Sequence, residues 1–270
     1  MTLTAETFDF VATLVRQRSA IQLEKGKEYL VESRLAPLAR SAGVADVDAF
    51  VRAVRADSAK QDMVVEALTT NETSWFRDIN PFAVLRSTVV PDLVGLGRTQ
   101  MRIWSAACST GQEAYSIAMT IAEHFPGIRS SIVATDLAEN VLAKGRSGSY
   151  SQLEINRGLQ APMLVKYFER KGATFEISPT LKNQVVFRKH NLLDATPPGG
   201  PFDIVFLRNV LIYFDVATKR DVLRRVRQSM APGGYLFLGA AETTIGVDES
   251  WERIQVGSSS VYRPREGKSL

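Results

Sequence analysis

Cysteine is nearly missing from this chain: Cys108 is the single one in 270 residues. It excludes an intramolecular disulfide framework, and no metal-ligand spacing can be built from it with His124 and His190, so a cytoplasmic, metal-free protein is expected. Long apolar runs are missing too. No stretch reaches the roughly 18 residues of a membrane span. The opening MTLTAETFDFVATL lacks a basic region followed by an apolar core, so neither secretion nor membrane insertion is expected. Repeats and low-complexity tracts are absent, and charge of one sign is in short supply. The 33 Lys and Arg against 29 Asp and Glu leave +4, too little for a dedicated nucleic-acid binder. What is present, 45% hydrophobic and 23% charged residues, suits one large globular domain or one with a smaller companion. The basic excess is local: residues 1–70 carry −1, 71–143 carry −2, 144–190 carry +6 and 191–270 carry +1. Such a patch can attract an acidic partner.

The first 70 residues read as a small helical bundle. Phe8, Val11, Ala12 and Val15 follow helical spacing, and Val31, Leu35 and Leu38 repeat it. Asp48 is placed to cap a third segment with Phe50, Val51 and Val54, and Met63, Val64 and Leu68 mark a fourth. Pro37 predicts a kink or break in the second. After residue 100, short Val-, Ile- and Phe-rich runs alternate with helical patterns, the signature of a parallel sheet with crossover helices. Strands are expected at Arg102–Ala106, Ser131–Thr135, Val185–Arg188, Asp203–Leu207 and Tyr235–Gly239, with a last pair at Arg253–Gln255 and Ser259–Tyr262. Helices fit Ala114–His124 and Thr218–Met230. The stretch from Gly145 to Asn183 is too long for one crossover and predicts an inserted subdomain. Pro197–Gly200 reads as a surface turn and the tail Arg263–Leu270 as frayed.

Four stretches carry chemistry. The first expected strand runs into Cys108-Ser-Thr-Gly111 and a helix opening near Gln112 and Glu113, where small residues let a ligand approach the backbone, although tight packing alone produces the same pattern. Asp136 ends the next strand, where an acid can accept both hydroxyls of a ribose or cap the following helix. A carboxylate at Glu113 repels a pyrophosphate and welcomes an amino or sulfonium group, favouring S-adenosylmethionine over NAD; the helix dipole also suits an acid there. After the Val185 strand come His190, which reads as a structural histidine, then Asn191, able to bond an adenine edge, and Leu192, able to pack on its face. Phe202–Asp215 delivers Arg208 and Asn209 to the sheet edge, with Tyr213 beyond, either a core residue or a participant. This run lacks the Asn/Asp-Pro-Pro-aromatic and Pro-Cys signatures of nucleic-acid methylation. Upstream, Thr69–Asp78 combines polar residues with Trp75 and Phe76 in a way a plain linker does not, and Arg77 can orient a carboxylate.

Together TTNETSWFRD, RIWSAACSTGQEAYSIAM, ATDLAENVLAKGRSGSYS, HNLLD, FDIVFLRNVLIYFD and LFLGAAE resemble, in order, the chemotaxis receptor glutamate O-methyltransferases of the CheR family. The resemblance implies an α/β architecture: a Rossmann-like, seven-stranded S-adenosylmethionine-dependent methyltransferase sheet with an inserted small antiparallel β-subdomain, preceded by an all-α domain. The expected boundaries are 1–75, 76–270 and about 145–183 for the insertion. It implies methyl esterification of glutamates on the cytoplasmic helical region of chemoreceptors for adaptation, with S-adenosylhomocysteine as product, no metal, no nucleic acid, no membrane insertion, and a monomer. Cofactor contacts carried over are Asn71, Thr73, Arg77, Glu113, Asp136, Asn191, Leu192, Arg208 and Asn209. Arg77 and Tyr213 are similar to the residues placed near the reacting groups.

Two departures qualify the likeness. Enteric members dock the receptor with an Arg-rich second helix, whereas KEYLVESRLAPLAR offers Lys27, Arg34 and Arg40. Arg170–Pro179, where members tethered to a receptor pentapeptide carry a Gly-containing loop, is short with one glycine; pentapeptide-independent action is expected. The other readings are a methyltransferase for a small-molecule or nucleic-acid acceptor and a non-catalytic signalling scaffold.

Overall fold

The computed structural model describes residues 3–265. Contacts divide the chain into two units, one built on the chain up to Thr70 with Tyr213–Thr218, the other on Asn71–Ile212 with the chain from Lys219 onward.

The first unit holds α1 (Ala5–Ser19), α2 (Glu28–Ser41), α3 (Val47–Val54) and α4 (Ser58–Leu68). Side-chain oxygens of Thr4, Asp46 and Asp57 each accept a first-turn N–H, which is why α1, α3 and α4 begin where they do. Asp48 is therefore not the cap of α3. It lies inside the first turn and accepts instead from Thr4, through the hydroxyl at 2.6 Å and the N–H at 3.3 Å, and these bonds hold its carboxyl below the usual range. Pro37 does not break α2. It sits with Ser33 on the exposed side of the helix, where a carbonyl that loses its helical donor is open to solvent at little cost. Apolar stripes close the core: Phe8, Val11 and Val15; Val31 and Leu35; Phe50 and Val54; Val64 and Leu68. Arg34 donates from Nη1 to the carbonyls of Ala67 (3.1 Å) and Thr69 (2.6 Å), a cation on the C-terminal end of α4.

The second unit begins with α5 (Asn80–Val84), a π-helical stretch at Leu85–Val89 and α6 (Val90–Gly95). Alternating elements follow: β1 (Gln100–Ala106), α7 (Gln112–His124), β2 (Arg129–Asp136) and α8 (Glu139–Ser147). The insertion holds β3 (Ser149–Ser151), α9 (Gln152–Asn156), α10 (Ala161–Tyr167), β4 (Phe168–Lys171), β5 (Thr174–Ile177) and α11 (Pro179–Lys182). The sheet resumes with β6 (Val185–Lys189), β7 (Phe202–Leu207), a single turn at Leu211–Tyr213, α12 (Val216–Gln228), β8 (Met230–Leu238), β9 (Trp251–Val256) and β10 (Ser259–Pro264). The main sheet has the order β6-β2-β1-β7-β8-β10-β9. Its first five strands are parallel, and β10 runs antiparallel to both β8 and β9. The insertion forms a three-stranded antiparallel sheet, β3-β5-β4.

β7 is buried at every position, as a strand covered on both faces must be. The Phe206 ring stacks on Phe237 of β8 at 4.3 Å. Burying such a side chain is worth about 1.5–3 kcal/mol. β8 starts five residues ahead of expectation because a register shift beside Asp203 absorbs Pro232 and Gly233. At the other end, Arg263 belongs to β10, and Arg265 bonds the carbonyls of Ser250 and Trp251, so 263–265 are not frayed. The rest of that tail lies outside the described residues.

Trp75 ties the polar-aromatic stretch to the insertion. It is buried with its ring edge-on to Tyr150 (4.9 Å) and Phe168 (5.3 Å), its Nε1 donates to the Glu154 carbonyl and its N–H to that of Arg157. Gly158 is glycine for space as well as torsion: at φ +103° a Cβ would lie 2.3 Å from the Trp75 carbonyl oxygen. The basic excess of residues 144–190 is partly cancelled here. Arg146 pairs with Glu139, Arg157 with Glu72 and Lys166 with Glu123, three acids from outside the segment. Among the described residues, no helix is long and apolar enough to cross a membrane.

Candidate active site

Strand order reverses between β1 and β7, with β2 and β6 on one side and β8 on the other. In parallel sheets the crevice outside the carboxyl ends at such a switch is the binding position. The connection from β1 to α7 there is sharply bent: Ala107 and Ser109 take left-handed φ of 59° and 50°, and Gly111 has φ 94°. Non-glycine residues hold such torsions only where surroundings over-determine them. Here the Cys108 N–H donates to the Thr135 carbonyl (2.8 Å), Ser109 N–H to Asp136 Oδ2 (2.8 Å) and Ser109 Oγ to the Asn71 carbonyl (2.7 Å). Gly111 has no substitute, because a Cβ would meet the Phe187 ring at 2.9 Å.

Asp136 is buried at the tip of β2. Besides Ser109 it accepts the Ala138 N–H at Oδ1 (3.0 Å), while α8 takes Ala138 as its N-cap, so Asp136 does not cap that helix. The next strand end is stitched to it by His190 N–H to the Asp136 carbonyl (2.9 Å). The His190 ring sits edge-on to Trp104 at 5.9 Å, and burial lowers its pKa, as befits a neutral structural histidine. Asn191 turns its Oδ1 to the Leu193 N–H (3.1 Å), and half-buried Leu192 accepts Arg225 at its carbonyl.

Glu113, in the first turn of α7, points at the end of β1. Ser105 Oγ donates to Oε1 (2.7 Å) and Arg208 Nη1 to Oε2 (3.0 Å). Burial pushes its pKa up, opposed by the Arg208 guanidinium. Arg208 has a side chain 1% exposed, and its Nη2 donates to Asp78 Oδ2 (2.7 Å) and to the Arg77 carbonyl (3.0 Å). It thereby clamps a second strained turn, in which Phe76, Asp78 and Ile79 have φ of 48°, 67° and 53°. A β-branched residue at positive φ is a true outlier. Phe76 N–H to Ser116 Oγ (3.0 Å) and Arg77 Nη1 to the Glu72 carbonyl (2.9 Å) complete the anchoring.

Asn209 follows Arg208 with φ 58°, its N–H donated to Glu242 Oε2 (2.8 Å). Nine residues were expected to gather: Asn71 is linked to Asp136 through Ser109, Asn191 follows His190, whose N–H bonds the Asp136 carbonyl, Glu113 and Arg208 join with the Arg77 backbone, and Asn209 closes the β7 end. Leu192 follows Asn191 in the chain. Thr73 is half-buried on the extended stretch between Asn71 and Trp75, outside these hydrogen-bond networks. Tyr213 ends the Leu211–Tyr213 turn and falls in the first unit. Asp78, Ser105, Ser109 and Glu242 had no assigned role in the sequence reading. Asp78 and Glu242 lie in stretches already singled out, and a carboxylate just past a buried strand's glycine was the available signal for Glu242.

Both regions of the chain match family descriptions: "CheR methyltransferase, all-alpha domain" over residues 6–69 and "CheR methyltransferase, SAM binding domain" over 71–259. The chain belongs to the CheR family. This CheR chain is 40% identical over 267 residues to chemotaxis protein methyltransferase 1 of Pseudomonas aeruginosa, spanning 96% of the one and 97% of the other. It is likewise 40% identical over 268 residues to chemotaxis protein methyltransferase Cher2 of Pseudomonas putida, at 96% and 98% coverage. The Salmonella typhimurium chemotaxis protein methyltransferase is 37% identical over 245 residues, 87% of this chain and 83% of that one. As a CheR methyltransferase with an S-adenosylmethionine-binding domain, the chain is an enzyme of chemotaxis.

Proposed function

We propose that this chain esterifies glutamate side chains on the helical cytoplasmic region of chemoreceptors, with S-adenosylmethionine as methyl donor. The observation that carries the reading is the match of both CheR regions, in order, to a chain whose full-length relatives are chemotaxis methyltransferases.

The donor set at the strand ends fits the cofactor. Asp136 is held at the tip of β2 by the N–H groups of Ser109 and Ala138, and each Glu113 oxygen takes one side-chain donor, so the Glu113 carboxylate keeps acceptor capacity. Asp136 would hold ribose hydroxyls, Glu113 the ammonium, Asn191 and Leu192 the adenine, with Asn71, Thr73, Arg77, Arg208 and Asn209 completing the contacts. When bound, S-adenosylmethionine supplies an electrophilic methyl on sulfonium; the new carbon–oxygen bond forms as the carbon–sulfur bond breaks, leaving S-adenosylhomocysteine and a neutral ester. The acceptor, with an ordinary pKa near 4.3, is ionised at neutral pH and needs no base. Catalysis is then alignment and electrostatics. Arg77 orients the incoming carboxylate, and Tyr213 donates near the transfer axis.

The test is labelled methyl transfer to receptor-containing membranes. Alkali-labile label, released as methanol, is expected; alkali-stable label would indicate N-methylation, and no cofactor binding would indicate a scaffold. Arg77→Ala is expected to lower the rate at saturating cofactor by about 100-fold, the scale of one preorganised donor, and Tyr213→Phe by a smaller factor. Wild-type rates in both would remove these two assignments.

We propose that the enzyme acts without a receptor pentapeptide, and the short turn of the insertion supports this. β4 and β5 are joined by Gly172 and Ala173 alone, with Gly172 at φ 62° making the tight turn. Calorimetry with a receptor-tail pentapeptide is expected to show no binding at micromolar concentration; micromolar affinity would overturn the reading.

A further inference from the structure

The structure assigns a positioning role to Glu242: its carboxylate holds the active-site ends of β7 and β8 in one arrangement. What that edge does rests on the reading above. Glu242 lies just past β8, in a turn closed by its own N–H to the Gly239 carbonyl (2.9 Å), and is 9% exposed. Its two oxygens accept four backbone N–H groups. Oε2 receives Gly239 (2.7 Å) and Asn209 (2.8 Å); Oε1 receives Val210 (2.9 Å) and Ile212 (3.3 Å). A carboxylate offers about four lone-pair sites, and each bond is charge-assisted.

The need for that anion lies in the backbone. Past Leu207 the chain leaves the sheet ladder and turns through Asn209 at φ 58°, a torsion asparagine tolerates better than most residues. Three N–H groups within four residues then point inward, and buried donors without partners are costly. Glu242 satisfies all three and adds the end of β8. Gly239 makes room for this: its φ is not in the left-handed region, but a Cβ would come within 2.7 Å of Glu242 Oε2 and 2.8 Å of Asn209 Nδ2. Glu242 thus acts through Asn209 and through the Leu211–Tyr213 turn, whose middle residue it holds.

Glu242→Gln, Glu242→Asp and Gly239→Ala test this, with S-adenosylhomocysteine calorimetry, the rate of alkali-labile methyl transfer at saturating cofactor, and thermal melting. Glutamine turns an amide donor on N–H donors, so cofactor affinity and transfer rate are each expected to fall tenfold or more. Aspartate, keeping the anion, recovers part of both losses, and Gly239→Ala reproduces them by pressing a Cβ against the carboxylate while leaving its charge unchanged. A purely structural role would lower the melting temperature and leave affinity and rate of the folded protein unchanged; that result overturns the assignment, as does equal behaviour of Gln and Asp or wild-type behaviour of Gly239→Ala. Should Glu242→Gln fail to fold, the other two variants decide. If the wild type transfers no alkali-labile methyl, the functional reading fails, while the calorimetric comparison still judges Glu242.

Discussion

Arg208→Met is expected to cost about 3–5 kcal/mol of folding stability, the scale of removing one partner from a buried ion pair. The guanidinium bridges Glu113, whose side chain is 13% exposed, and Asp78, 41% exposed. Asp78 rehydrates when the cation goes; Glu113 cannot, so most of the loss falls there. The sign with pH follows. Burial already raises the Glu113 pKa, and Arg208 opposes that rise. Without Arg208 the folded-state pKa moves further above the unfolded one, so folded protein binds the extra proton and stability falls as pH rises through that range. The deficit against wild type is therefore larger at about pH 8 than at about pH 5, measurable as urea midpoints at both. Equal deficits at the two would show that Glu113 is not the group left uncompensated. Methyl transfer falls as well, because the Arg77 turn loses two of its anchors.

Asp136→Asn is expected to weaken cofactor binding about 10- to 100-fold, the value of one charged hydrogen-bond acceptor. Asparagine keeps one carbonyl oxygen but sets an amide nitrogen against the N–H of Ser109 or Ala138, loosening the strained β1–α7 connection. Calorimetry with S-adenosylhomocysteine measures the affinity, and a melting curve separates this loss from unfolding. Affinity within twofold of wild type would remove Asp136 from the binding site.

Local pattern and tertiary contact divide this protein at identifiable places. The strand ends carrying Asp136 and Arg208 were legible because inner parallel strands write apolar runs that stop where the polar residues begin, whereas Asn191 follows the half-exposed edge strand β6 and was legible only from its place after the Val185 run. The capping of α3 was displaced by two residues because Asp46 and Asp48 are chemically equal candidates, and contact with Thr4 decides between them. Pro37 passes through α2 because its face meets water, which helical spacing does not reveal. The charge count over 144–190 overstated the patch because Glu72, Glu123 and Glu139 reach it from other segments.

By itself the sequence determined the class of fold, the insertion, the family and the residue types at the carboxyl edge, since periodicity and ordered motifs are properties of neighbours along the chain. Tertiary structure alone decided the partners. Arg208 meets Glu113 across 95 residues and Asp78 across 130, and Glu242 meets Asn209 across 33. Such pairs leave no local spacing to read. They arise because folding brings strand ends together and leaves buried charges and N–H groups that only each other can satisfy.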